Sequence, residues 1–364
     1  MREPRDVRRQ RILAVVQSRG EARLSDLADD LEVSVITVRR DVEDLAREGK
    51  LRRGHGVARS VGPVERGAAP AEPVTGGGAV ALMVPERHTY LYETMHGARG
   101  VLNEAGMRVA LHIAPQVEGA ERPLVERVLA EDVRGLLIAP RWRTAAEEEA
   151  DYAWLAASGV PTVLMERRPR AGSALHAMDS VCTDHWYGIH LAVDHLVRLG
   201  HRRIVLAARD DSPTARALRA AFAEIAASRT DVEDWSVMLS AEGAGPGRVR
   251  EPLDLAARLR EHGATAAVLH GDVDALMLVQ QLMDRGVRVP QDCSVVAYDD
   301  VVAALGSTPL TAVSPPKHEV GRTAAGLLLR RLGELAGPGA GTPQRVQLLP
   351  ELKVRGSTAP LRIV

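Results

Sequence analysis

Apolar residues in the first 60 positions recur at helical spacing in three short runs. Val7, Ile12, Val15 and Val16 mark one side of a helix over 6–18, which Gly20 stops. Ser25 stands where a cap belongs for a second helix, SDLADDLEV, with Leu24, Leu27, Ala28 and Leu31 available to pack inward. The third run is VSVITVRRDVEDLAREGKLRRGHGV, residues 33–57. Ser34 can accept a free backbone N–H at its start, and Val38, Val42 and Leu45 recur at i, i+4 and i+7 on one buried face. At about 100° per residue, Ile36, Arg40, Glu43 and Arg47 lie opposite, with Thr37 and Arg39 on the flanks. Gly49 ends this helix, and Lys50, Arg52, Arg53 and His55 crowd a glycine-containing hairpin after it.

The pattern breaks over 59–78, RSVGPVERGAAPAEPVTGGG, which has no apolar face and reads as a flexible linker between a head at 1–58 and a body at 79–364. From Ala79 buried strands alternate with amphipathic helices. AVALMV, MRVALHI, GLLIAP and PTVLME are strands separated by helices over 92–104, RPLVERVLA and AEEEADYAWLAAS. A second series follows the helix HWYGIHLAVDHLVRLG. Its strands are RRIVLAA, DWSVMLS, TAAVLH and SVVAYDD; its helices are SPTARALRAAFAEIAA, a segment near 250–261 and VDALMLVQQLMDRG. Repeated βα units predict an α/β fold with parallel sheets covered on both faces, and two series predict two lobes. Ligands in such sheets bind at the carboxyl ends of the strands.

Composition changes the picture in three ways. Aromatics are 3% of the chain, with Phe222 the one phenylalanine, so Leu, Val, Ala and Ile must build the core. The cysteines, Cys182 and Cys293, make no disulfide framework and fit a reducing cytoplasm; no secretory signal or membrane span is read in the chain. Net charge is −1, but the first 60 residues hold 14 basic against 11 acidic side chains, which leaves −4 for the rest. The positive end is the helical head. Three short helices and a basic hairpin predict a winged helix-turn-helix whose third helix enters a DNA major groove. Its candidate contacts are Ser34, Ile36, Thr37, Arg39 and Arg40 on the helix, with Lys50, Arg52, Arg53 and His55 on the wing.

Two resemblances sharpen this reading. VSVITVRRDVEDLAREGKLRRGHGVA resembles the DeoR-family signature, with VS, TVRRD, L, G and the R-x-H-G wing in order; Val57 departs from the family's glycine-rich wing. DSVCTDHWYGIHLAVDHLVRLGHRRIVLA, GVRVPQDCSVVAYDD, PLTAVSPPKHEVGRTAAGLLLRRL and VRGSTAP resemble the LacI/GalR-type effector domain, a two-lobed periplasmic-binding-protein-like fold. That resemblance covers 79–360 and implies three crossings between lobes, near 166–180, 300–312 and 336–350. The hinge helix of that family is missing before Ala79, so a DeoR-type reader is joined to a LacI-type sensor.

The resemblance implies a sugar, sugar derivative or nucleoside between the lobes. Glu166, ending VPTVLME, and Asp299, the first acid of AYDD, stand where the family places acidic contacts; a capping or crossover carboxylate is the alternative for each. Tyr90 and Leu91 fall at the family's aromatic pair, with Tyr92 as a substitute. Leu218 replaces a usual arginine and leaves Arg216 and Arg219 at its flanks, while Gly271 replaces an asparagine before Asp272; both depart from the usual sugar specificity and leave open a divergent effector or none.

The chain is therefore expected to be a cytoplasmic transcriptional repressor that binds a double-stranded operator as a homodimer, without cofactor, metal or membrane. The alternative is a sugar-phosphate-acting enzyme on the α/β scaffold, and a transporter's solute-binding component lacks the export signal. Gly243, Gly245 and Gly247 do not tie a strand to a helix start, so they read as loop. His185, His190 and His195 are five apart and cannot converge on one metal.

Overall fold

The computed structural model describes residues 8–9, 12, 16, 21–30, 33–47, 51–54, 56–60, 78–86, 89–115, 117, 119–240, 254–334 and 341–361. They form two compact units, residues 1–75 and 76–364.

In the first unit, β1 (Glu21–Arg23) runs into α1 (Leu24–Asp30), and α2 (Val35–Arg47) precedes the hairpin of β2 (Leu51–Arg53) and β3 (Val57–Ser60). Ser34 caps α2 as expected, its Oγ accepting from Thr37 N–H at 3.2 Å. Ser25 does not cap α1. The helix begins one residue before it, where Leu24 N–H donates to the Gly56 carbonyl, because β1 delivers the chain directly into the first turn. That strand was not expected; it pairs antiparallel with β3 and makes the wing a three-stranded sheet in the order β1-β3-β2. β3 continues through Arg59 and Ser60, so the first two residues of the expected linker belong to the wing. Most of that linker, 61–77, lies outside the described residues, as do Leu31, Lys50, His55 and the glycines at 243, 245 and 247. Ile12, Val16, Leu24, Leu27, Val38, Val42, Leu45 and Leu51 close one apolar core.

The second unit holds two parallel sheets, and both carry apolar runs buried on both faces, as helix-covered strands require. One lobe has β4 (Ala79–Pro85), β5 (Val109–Ala114), β6 (Val133–Ile138), β7 (Thr162–Met165), β8 (Asp179–Thr183) and β14 (Arg345–Leu348), in the order β14-β8-β7-β6-β4-β5. On one face pack α3 (Thr89–Glu104) and α10 (Lys317–Glu334), on the other α4 (Glu121–Leu129) and α5 (Ala145–Ala156). α3 starts three residues before the expected Tyr92. The other lobe has β9 (Arg203–Ala208), β10 (Asp234–Leu239), β11 (Ala266–Leu269), β12 (Ser294–Tyr298), β13 (Thr311–Ser314) and β15 (Glu351–Lys353), in the order β10-β9-β11-β12-β13-β15. Of these strands β15 alone pairs antiparallel. It is sandwiched by α6 (His185–Arg198) and α7 (Pro213–Ser228) on one side and α8 (Leu255–Glu261) and α9 (Asp272–Asp284) on the other.

Two expected crossings are misplaced. The segment after β7 loops within its own lobe and returns as β8, so the chain crosses at 183–185; the segment after β12 returns as β13 and crosses at 314–317. DSVCT and TAVS are buried along their whole length, and a strand buried on both faces completes the sheet it follows before the chain can leave. The third crossing, at 348–351, touches the end of its expected range.

Candidate functional site

α2 presents its candidate face outward. Ile36 is 77% exposed, Arg39 and Arg40 are exposed, and neither guanidinium takes a partner among the described residues. Thr37 is half-buried, its hydroxyl 2.9 Å from Ser34 Oγ. The backbone of Arg52 and Arg53 lies in the wing strand opposite Arg59 and Ala58. An exposed apolar side chain between unpaired guanidinium groups suits base edges and phosphates, since arginine pairs with both and an apolar group meets a thymine methyl.

The second unit carries a cleft of about 390 Å³ between its lobes, of a size that takes a small metabolite. Its walls are the carboxyl ends of strands from both sheets, where the βα loops leave backbone and side-chain groups free for a ligand. Tyr90, Leu91, Glu166, Asp272 and Asp299, all expected in the site, meet here. Glu166 is buried just past β7, with a left-handed backbone at φ 53°. Its carboxylate accepts from Tyr90 Oη at 2.7 Å, Thr183 Oγ1 at 2.9 Å and Thr183 N–H at 3.2 Å. The Lys317 ammonium, buried at the second crossing, sits 5.5 Å from the centre of the Tyr90 ring. Burial, and then the charges of Glu166 and Asp299, push the Tyr90 phenol well above its ordinary range, so it stays protonated and donates.

Asp272 lines the cleft, but one of its oxygens accepts the backbone N–H groups of Val301, Val302 and Ala303. It anchors the loop after β12. Asp274 is likewise engaged, by a bidentate pair with Arg209 at 2.6 and 3.0 Å. Asp299 follows β12 at φ 101°, and burial together with the charges of Asp272 and Glu166 raises its carboxyl to about 7. Burial and the Arg209 charge push the His270 imidazole down to about 3, and its Nδ1 is enclosed without a hydrogen-bond partner. At neutral pH it is an uncharged ring at the cleft wall.

Arg216 and Arg219 do not line the cleft. Arg216 reaches from α7 across to the other lobe, donating to the carbonyls of Trp142 at 2.8 Å and Arg143 at 2.9 Å and to Glu148 at 2.7 Å. It ties the lobes together. Arg219 donates to the Arg209 carbonyl and steadies the loop after β9. Sequence reasoning missed Arg141, Arg167, Arg209 and His270. All four fall within three residues of a strand's end, which is the signal that could have found them. The three spaced histidines serve separate ends: His185 bonds Tyr298 Oη at 3.0 Å, His190 stacks on Tyr187, and His195 bonds Thr358 Oγ1 at 3.0 Å.

The Asp299 shift has a testable sign. An unfolded aspartate titrates at about 3.9, so between that pH and about 7 the folded chain holds a proton that the unfolded chain releases. Stability therefore falls as pH rises through this window, and the loss is complete above it. Asp299→Asn cannot ionise, and asparagine tolerates the positive φ. Melting curves from pH 4 to 8 are expected to show Asp299→Asn and wild type converging at pH 4, with the variant more stable at pH 8. A constant difference across the range would remove the titration of Asp299 as its cause.

Residues 8–64 match the DeoR-like helix-turn-helix domain family and residues 193–358 the periplasmic binding protein-like domain family. The chain is 34% identical over 266 residues to an HTH-type transcriptional regulator encoded 5′ of aml in Streptomyces limosus, an alignment covering 68% of this chain and 69% of the relative. It is 28% identical over 349 residues to an arabinose metabolism transcriptional repressor of Geobacillus stearothermophilus, covering 92% and 90% of the two chains. The fold is shared with the lac repressor dimer bound to operator and an anti-inducer, at a TM-score of 0.63 and 21% identity over 79% of this chain and 96% of the other. With a DeoR-like head on a two-lobed, periplasmic-binding-protein-like body, the chain belongs to the HTH-type transcriptional regulators.

Proposed function

We propose that this chain is a sequence-specific repressor of double-stranded operators whose affinity is set by a sugar-like molecule held between its lobes. The observation that carries the reading is that one chain holds both the exposed Arg39 and Arg40 on α2, which take no partner among the described residues, and a polar cleft walled by both lobes. Effector binding changes operator affinity only if the ligand prefers one arrangement of the lobes, and Arg216 gives one arrangement its own set of hydrogen bonds. A homodimer supplies the two reading helices that paired half-sites require. Leu111 and Ile113 on the edge strand β5, and Val273 and Met277 on α9, are apolar and about half exposed, as a surface covered by a second copy would be. The relatives are named as regulators, which gives the enzyme alternative no support.

The test is a duplex selected by the wild-type protein from a random pool. Arg40→Ala is expected to weaken binding to that duplex by about 1–3 kcal/mol while scarcely changing binding to random DNA. Equal loss on both would make Arg40 a phosphate contact. Failure of the wild type to enrich any sequence would overturn the repressor reading itself.

A further inference from the structure

We propose that the effector is a sugar-sized molecule bearing a carboxylate, a uronate or aldonate, and that Arg141 is the residue that recognises its charged end. This rests on the reading of the cleft as an effector site and names the ligand class that it selects.

Four of the five carboxylates on the cleft wall are already engaged within the protein: Glu166 by Tyr90 and Thr183, Asp272 by the loop after β12, Asp274 by Arg209, and Asp211 by Arg209 at 3.9 Å. They shape the site and have little capacity left for a ligand. Arg141 is different. It follows β6 at the cleft wall, its backbone N–H donates to Glu121 at 2.8 Å, and its Nη1 is buried with no hydrogen-bond partner. A buried guanidinium donor without a partner is costly, and a carboxylate offers two parallel acceptors that match its fork.

The cleft is also polarised. Asp299 lies under the influence of Asp272, Lys317, Glu166 and Arg209, whereas the charges acting on Arg141 are Arg143, Glu147, Asp211 and Glu121. The Arg209 guanidinium beside Asp299 and His270 is already held by Asp274, so a ligand in the cleft meets Asp299 and the uncharged His270, both suited to hydroxyls, and the Arg141 guanidinium. Glu147, Asp211 and Glu121 near that guanidinium oppose a second negative charge. The balance favours a singly charged carboxylate over a phosphate dianion.

The full-length protein is titrated calorimetrically and by thermal shift with glucuronate, galacturonate and gluconate, each beside its neutral parent sugar, and with glucose 6-phosphate. At least one acid is expected to bind tenfold or more tightly than its neutral parent. Arg141→Gln should collapse that gap to within about twofold, and Arg141→Lys should keep part of it, because the charge remains while the fork is lost. Since Nη1 makes no hydrogen bond within the protein, both variants should melt close to wild type without ligand. A neutral sugar bound as well as its acid, or a gap that Arg141→Gln leaves intact, would overturn the carboxylate assignment and leave the cleft reading standing. Preference for the phosphate ester would likewise overturn it. If no sugar, acid or ester binds, the effector-cleft reading falls and this inference with it.

Discussion

Gly321→Ala is expected to destabilise the second unit by more than about 3 kcal/mol, although alanine is the better helix former by about 1 kcal/mol. Gly321 sits in α10 where this helix crosses α3. A Cβ there would overlap the Thr94 carbonyl oxygen and stand 2.8 Å from Ala98 N, so two backbones would have to part. Gly97 is in the same position from the other side, against the His318 carbonyl. Backbone cannot rotate away as a side chain can, so the helices must separate and expose Leu102, Ala324 and Leu328, which are fully buried between them and the sheet. Gly326 supplies the control. It lies five residues on in the same helix and a Cβ there meets nothing within 4 Å, so Gly326→Ala should stabilise by about 0.5–1 kcal/mol. Chemical denaturation of the two variants decides it; the same sign for both would mean that the two helices part at little cost at this crossing.

The second large effect belongs to the head. Asp41 lies on α2 between Val38 and Val42, nearly fully buried, and accepts from Arg8 Nε at 2.6 Å. Asp41→Ala leaves the enclosed guanidinium without this counter-charge, at a cost of about 3–5 kcal/mol. A unit of fewer than 80 residues seldom holds more than that in reserve. Calorimetry should therefore show the head's transition lost and the body's retained, and operator binding should vanish with it. Replacing both partners, Arg8→Met with Asp41→Leu, should restore part of the stability, because the two charges of this pair are then removed together. An Asp41→Ala variant that melts like wild type would show that the pair contributes little.

In the N-terminal head, the cap and the buried face of α2 were legible in sequence. Capping by Ser34 and the stripe of Val38, Val42 and Leu45 are local consequences of helix geometry. Asp41 was not legible. Its place on the buried stripe is periodic, but what makes a charge acceptable there is Arg8, 33 positions away. Ser25 misled for a related reason: a serine before an apolar helix is a good cap, but β1 pairs with the wing and starts the helix earlier. In the cleft, Glu166 and Asp299 were placed by resemblance and by their position at strand ends. Arg216 was placed by resemblance alone, as a neighbour of Leu218, yet its length takes it across to the facing lobe instead.

What the sequence alone determined about this protein was the kind and order of its elements and the division into a basic head and an α/β body. Apolar runs and helical stripes are properties of neighbouring residues, and they hold wherever the segment ends up. Only the tertiary structure decided where the chain changes lobes, which carboxylates are engaged, and which buried donor of a cleft residue makes no hydrogen bond. Tyr90 meets Glu166 across 76 positions and Arg216 reaches Trp142 across 74. A hydrogen bond is directional and short, so whether a polar side chain is satisfied or open to a ligand is fixed only when the distant segments have packed.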